Sequence, residues 1–394
     1  MNTVLHVPPD HPLNRLAPAL QQRFVQAQTD FIDLEFRNAS ELLFRACDDL
    51  KVKLAFPPAT KDEPVSAFAD TSYKRLIVFF ADVLRKNGVP DQAVRLQAAN
   101  LAHRIQLVRA FKEPDRVVDE TCEKIAEIVS GFPRNAEHIQ RGRNPGDVLD
   151  PYILAAAQQL VYAGDLEGTI TATVAHKILM MIEGLLGHLH EDVLGAMRGN
   201  VRVPEPRGED QETLDPLKNP FPGADIVQPQ IGERRPLRFH QIKSKTGSAK
   251  GGDGRRLGLQ LVELQRLYGG EIFYDALIGN TLRGHRSMAG VLRAAPSVVV
   301  LVGDSAFLAL TGSSVGPELL LRLYQAAFEV TSQRTGYRIQ DVVEAIYATF
   351  KQHAAEAGES FLDSILREAI GGLPAEQDSR HFRARRSDRL SPEE

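Results

Sequence analysis

The chain has 394 residues, 43% of them hydrophobic, and a formal net charge of −4. That length and apolar content are enough for two domain cores, while the slightly acidic balance argues against a general polyanion sponge. Its only two cysteines, Cys47 and Cys122, stand far apart with no CxxC spacing, which argues against a disulfide framework and a cysteine-held zinc.

The start, MNTVLHVPPDHPLNRL, lacks the charged stretch and apolar core of a secretory leader. Residues 1–200 then read as an all-helical domain, with helices expected over 65–87 (ended by Gly88), 91–112, 116–131, 151–163 and 168–198. No period suggests a solenoid. No apolar run reaches membrane length, KILMMIEGLLGHL being broken by Glu183 and histidine, so a soluble, cytoplasmic protein is expected. The cluster GHLHED (187–192) has metal-ligating residue types. On a helix, however, positions two apart point about 200° from each other, so His188 and His190 cannot share an ion.

Residues 201–223, VRVPEPRGEDQETLDPLKNPFPG, hold five prolines and read as a semi-rigid linker. A domain over 224–373 follows. Its first run, ADIV (224–227), carries Asp225. Its second, PLRFHQIKS (236–244), alternates as a strand with two faces, and PQIGERR between them suits a hairpin turn. Side chains two apart on a strand share a face, so Gln241 and Lys243 point the same way and Asp225 approaches them from the neighbouring strand. Breaking a phosphodiester requires an oxygen-liganded divalent cation and a positive group near the attacking or leaving oxygen. Asp225 suits the first need and Lys243 the second.

A basic, glycine-dense segment, SKTGSAKGGDGRRLG, follows and opens a helix over 255–268 with Leu257, Leu261 and Leu264 on one face. Lys245, Lys250, Arg255 and Arg256 at such an entry suit backbone phosphate. No Gly-Lys-Ser/Thr follows at nucleotide-loop spacing. Residues 221–300 hold 12 Lys plus Arg against 6 Asp plus Glu, so positive charge is concentrated here within an acidic chain. Gly269 and Gly270 stop the helix before a strand over 271–278, EIFYDALI, whose Phe273 and Tyr274 are read as packing groups. The loop GNTLRGHRSM (279–288) offers Arg283, His285 and Arg286 as DNA contacts. A strand over 297–302 and helices over 316–334, 338–357 and 360–371 come next, the helices expected to cover the sheet or meet a second subunit. The stretch 374–394 mixes five Arg with five acids and reads as a disordered tail.

Residues 221 to about 312, from NPFPGADIV through QIKSKTGSAKGGDGRRLG and GGEIFYDALIGNTLRGHRSMAGVL to SVVVLVGDSAFLALTG, resemble the catalytic core of a PD-(D/E)xK type II restriction endonuclease. The resemblance covers about a quarter of the chain. It implies a mixed α/β (α+β) sheet flanked by helices, with the core helix supplied by 174–198. It also implies a Mg²⁺ ion held by Asp225 and the residue at 241, with Lys243 positioning the attacking water. Two positions depart from the pattern: Gln241 stands where the family has an acid, and Ala224 where it has proline. Either glutamine serves as a neutral ligand or an acid has migrated, Glu263 being the candidate. The expected activity is sequence-specific cleavage of double-stranded DNA by a homodimer, since two-fold symmetry is the simplest way to cut both strands. A cognate DNA methyltransferase is the implied functional partner. The alternatives are a repair or recombination nuclease and a DNA-binding subunit of a defence system that kept the fold without its acid.

Overall fold

The computed structural model describes residues 7–129, 150–204, 215, 217–245, 253–279, 286–336, 339–358 and 360–370. Lys250, Arg283, His285 and the stretch 374–394 therefore lie outside the described residues. Among the described residues, nine α-helices precede the sheet: α1 Pro18–Thr29, α2 Ile32–Glu35, α3 Ala39–Asp49, α4 Ser66–Ala69, α5 Tyr73–Lys86, α6 Asp91–Ala110, α7 Pro114–Val129, α8 Pro151–Leu160 and α9 Leu166–Gly195. The expected single helix over 65–87 is broken at Asp70–Ser72. There the Asp70 carboxylate accepts from Arg109 and Ser313, and Ser72 is extended at ψ 147°. The break thus serves tertiary hydrogen bonds that local periodicity cannot report.

The remaining order is β1 Val201–Arg202, β2 Ile226–Gln228, β3 Arg238–Lys245, α10 Asp253–Tyr268, β4 Glu271–Ile278, α11 Arg286–Ala294, β5 Val299–Val302, α12 Asp304–Thr311, α13 Gly316–Thr335, α14 Ile339–Ala357 and α15 Phe361–Ile370. The fold is therefore mixed α+β. The strands form one five-stranded sheet in the order β1-β2-β3-β4-β5, antiparallel from β1 to β3 and parallel from β3 to β5. The expected hairpin and the parallel strand after α10 are both present, with β4 matching 271–278 at each end. Strand β1 lies inside the segment read as a linker. Val201 pairs with Val227 and Arg202 with Ile226, so the first residues of that segment form a sheet edge.

Contacts divide the chain into two compact units, Met1–Lys124 with Leu186–Glu329, and Ile125–Leu185 with Val330–Glu394. This is not a linear division near residue 200. The cause lies in the first unit's core, where Leu20, Phe24 and Ala27 of α1 pack with Val227, Phe239, Leu261 and Ile272 of the sheet and α10. Burial of each Leu or Phe there contributes roughly 1.5–3 kcal/mol, so α1 is integral to the sheet's stability. A second cluster, built on Leu42, Leu76, Phe80, Leu84, Leu101 and Ile105, joins α3, α5 and α6.

In the second unit, Leu154, Ile170 and Val174 close on Val343, Ile346 and Ile365. The apolar faces of α14 and α15 are thus used against α8 and α9. Helix α9 has 30 residues and is long and apolar enough to cross a membrane by length and composition. Its last turns bury Leu189, Val193 and Leu194 in the first unit.

Two layers of helix flank the sheet. Phe239 of β3 and Ile272 and Tyr274 of β4 face α10 and α11. On the other face Gln228 donates to the carbonyls of Ala309 and Leu310 of α12. Helices α10 and α11 approach closely because glycine lines their crossing: a Cβ on Gly258 would come within 2.8 Å of the Val291 carbonyl oxygen and the Ala294 methyl. Gly258→Val is expected to lower stability by about 2 kcal/mol through overpacking. Chemical denaturation of the variant beside the wild type measures this directly.

Candidate functional site

The site is built where β2 and β3 separate. Ile226 pairs with His240 and Val227 with Phe239, so Asp225 stands across from Gln241 in the same register. The Asp225 N–H donates to the His240 carbonyl (2.8 Å), which is the last main-chain bond of the pair. Beyond it, the turn through Phe221 and Ala224 takes the chain away from β3, and the Asp225 side chain continues the ladder. Its Oδ2 accepts from the Ile242 N–H at 2.7 Å and from Gln241 Nε2 at 2.5 Å. A charged acceptor in this role forms the stronger kind of hydrogen bond.

Gln241 is 3% exposed and Lys243, two residues on along the same face, is half-buried. The three side chains therefore share one side of the sheet, as the alternation required. Lys243 makes no hydrogen bond or ion pair with another described residue. The Asp225 carbonyl accepts from the Val203 N–H (3.0 Å) and from Arg202 Nη1 (3.2 Å), tying β1 to the site. Burial works against the charge of Arg202. Glu191, Asp225 and Asp192 outweigh it and hold the guanidinium firmly protonated. The ion pairs to Glu191 (2.5 Å) and Asp192 (3.1 Å) come from the end of α9, so GHLHED anchors the site's arginine. His190 of that cluster is buried, with Nδ1 3.0 Å from the Tyr324 hydroxyl.

A cavity of about 220 Å³ opens beside Asp225, lined among others by Arg202, Asn219, Gly223, Arg256 and Gln260. Arg256 and Gln260 lie one turn apart on α10, near its positive end. Gln260 is held close by Gly223, whose φ of +83° permits the turn and where a Cβ would stand 2.9 Å from that of Gln260. Arg255 faces solvent. Glu263 does not line this cavity; its carboxylate pairs with Arg266 one turn along the helix (2.5 Å), and that hydrogen bond lowers its pKa. Gln260, one turn earlier, lines the cavity together with Asp225. Lys245 is in β3 and Arg286 opens α11, but their side chains lie outside the described residues.

Sequence reasoning did not find Gln260, Arg202 or Asn219. Gln260 shares the i, i+4 face of Arg256, a signal the sequence contains, whereas Arg202 and Asn219 were hidden inside an apparent linker. On the opposite face, His240 Nδ1 lies 2.7 Å from Asp275 Oδ2, and neither side chain reaches solvent. Burial raises the pKa of Asp275, opposed in part by the charge and hydrogen bond of His240. His240 also stacks on Phe273 at 4.6 Å. Phe273 and Tyr274 are both buried, as packing groups should be. Cys47 and Cys122 are both buried in the core, and burial pushes the Cys47 thiol up to about 11.

A scan against protein-family models and a search of characterised proteins each returned no match. Among the described residues no group of three or more His, Cys, Asp or Glu side chains is arranged to hold a metal. One carboxylate, two carboxamides and two arginines can still do specific chemistry. A hard cation such as Mg²⁺ is commonly bound through one or two carboxylates, waters and substrate phosphates. Here Asp225 offers one anionic oxygen and Gln241 one neutral carboxamide, whose NH₂ is turned to Asp225.

Two outcomes follow. Asp225→Ala strips the Ile242 N–H and the Gln241 amide of their acceptor and should cost about 1–3 kcal/mol, measured by urea denaturation. Burial holds His190 and His103 at about 4, below the ordinary 6.5. The unfolded chain then binds more protons, so stability is full above pH 6.5 and is lost as pH falls towards 4. His190→Gln should flatten that loss by on the order of 3 kcal/mol, read from melts at a series of pH values.

Proposed function

We propose that this chain is a Mg²⁺-dependent endonuclease that hydrolyses phosphodiester bonds of double-stranded DNA, in the manner of a PD-(D/E)xK restriction enzyme. The observation that carries the reading is the juncture of Asp225 with the Gln241-x-Lys243 strand, set beside a cavity lined by Arg202 and Arg256. The element order supports it as well: helix α9, antiparallel β2 and β3, helix α10 and parallel β4 and β5 follow the order that the resemblance implies, with β1 added at the sheet edge.

In this reading Asp225 and Gln241 hold the cation. A divalent ion there supplies polarisation of the phosphate and a lowered pKa for water. Lys243 projects from the same face as a positive group, orienting the attacking water and answering the charge that gathers on the phosphate oxygens. Arg256 stands over the cavity as a phosphate contact. Lys245, Lys250, Arg255, Arg283, His285 and Arg286 are assigned to the DNA backbone and grooves. A homodimer acting on duplex DNA in the cytoplasm, paired with a methyltransferase that protects the host's sites, completes the proposal.

A second reading rests on one specific observation. An amide stands at 241, hydrogen-bonded to Asp225, and another at 260, on the cavity wall, and neither supplies a second acid. A DNA-binding subunit without hydrolysis has that composition. Cleavage of circular plasmid DNA with Mg²⁺ or Mn²⁺ separates the two. The endonuclease reading expects discrete fragments from the wild type and at least a hundredfold loss in Lys243→Ala, with stability unchanged within about 0.5 kcal/mol. DNA bound yet left intact by the wild type with either ion would support the second reading.

A further inference from the structure

We infer that a second cavity, between α2, the turn joining β2 to β3 and the end of α12, binds a small phosphate monoester through the guanidinium groups of Arg235 and Arg238. It lies at the other end of β2 from Asp225 and on the face of the sheet opposite Gln241, so the inference stands apart from the nuclease reading.

The cavity holds about 210 Å³ and has Arg109, Arg198, Arg235 and Arg238 in its lining. Arg198 is committed to Asp30, Glu35 and the carbonyls of Val108 and Phe111. Arg109 pairs with Asp70 and donates to the Gly312 carbonyl. Arg238 donates through Nε to Glu271 (2.8 Å), and its Nη atoms donate to no described residue. Arg235 differs from all three. The bridge between Ile231 and Arg235 closes the turn, and the side chain folds back so that Nε and Nη2 donate to the carbonyls of Pro229 and Gly199 at 3.0 to 3.3 Å. Its Cζ rests 5.5 Å from the centre of the Phe31 ring. Among the described residues no carboxylate pairs with it, and Nη1 has no acceptor. Burial and the charge of Arg238 pull this guanidinium down to about 10. Two cations near enough to repel, one of them without a counter-ion, are stabilised by an anion between them.

The groups that would oppose an anion are answered. The last carbonyls of α12 accept from protein donors: Ala309 and Leu310 from Gln228, Leu310 also from Asn200, and Gly312 from Arg109. Asp33 lines the cavity too, but it is exposed, where water and salt screen its charge. A phosphate has two charges and three outer oxygens for donors from more than one guanidinium, whereas a single fork satisfies a carboxylate. The ligand is larger than the bare ion, since a cavity of about 150 Å³ already takes benzene. Phe31, Ile32 and Leu308 offer an apolar wall to its organic part.

The test is isothermal titration calorimetry of the full chain with phenyl phosphate, inorganic phosphate and benzoate. Phenyl phosphate should bind at one site, inorganic phosphate more weakly, and benzoate at least about tenfold more weakly than phenyl phosphate. Arg235→Gln should weaken phenyl phosphate by about tenfold or more, the loss of one charge-assisted pair. Because Arg235 also holds two main-chain carbonyls, a second variant guards against misfolding. Leu308 lines the cavity and is 54% exposed, so Leu308→Glu should fold as the wild type does while its carboxylate abolishes binding. No binding of phenyl phosphate by the wild type, or unchanged binding by Leu308→Glu, would overturn the inference. Benzoate bound as tightly as phenyl phosphate would overturn the assignment to phosphate. Displacement of phenyl phosphate by duplex DNA would give the cavity to a nucleic-acid backbone and overturn the small-molecule ligand.

Discussion

The carboxylate of Asp225 completes a β-ladder with a side chain. The strands part after the Asp225–His240 bond, and the next donor, the Ile242 N–H, would be left without an acceptor if Oδ2 did not take it. An unpaired main-chain donor beside a buried sheet costs about 1–3 kcal/mol. The fold therefore needs an acceptor at this point whatever the protein does. The same hydrogen bonds fix the carboxylate over Gln241 and on the face from which Lys243 projects. Structural need and chemical position coincide in one residue.

The rest of the first unit is arranged around that point. Glu191 and Asp192 of α9 hold Arg202, which ties β1 to the Asp225 carbonyl. Helix α10 presents Arg256 and Gln260 because Gly258 lets it pack closely on α11, and Gly223 lets the turn before β2 close on Gln260. Behind the sheet, His240 and Asp275 form a fully buried pair, with His240 next to Gln241 in sequence but on the opposite face. Such a pair stabilises little by itself once the cost of desolvation is counted. It lies on the face of β3 opposite to the one from which Gln241 and Lys243 emerge.

Much of this was legible in the sequence. Alternation in PLRFHQIKS set Gln241 and Lys243 on one face, and EIFYDALI, bounded by Gly269-Gly270, matched β4 to the residue. What escaped had definite physical causes. Strand β1 is two residues long and lies in a proline-dense stretch, so it carries no periodic signal; only its pairing with β2 makes it a strand. The division into units escaped because α1 packs on a sheet that begins some 170 residues later, a long-range contact that local patterns do not encode. Glu263 was the natural migrated acid by residue type, yet its place on the helix gives it to Arg266, while Gln260 lines the cavity beside Asp225.

The central claim is that Asp225 and Lys243 converge on a hydrated ion and a DNA phosphate. The most direct measurement is anomalous scattering from Mn²⁺ in crystals of the chain with bound duplex. The account predicts a peak within about 2.5 Å of an Asp225 carboxylate oxygen, shared with a phosphate oxygen, and the Lys243 Nζ directed at that same phosphate. Duplex bound on another surface, or a peak outside the coordination shell of Asp225, would contradict it.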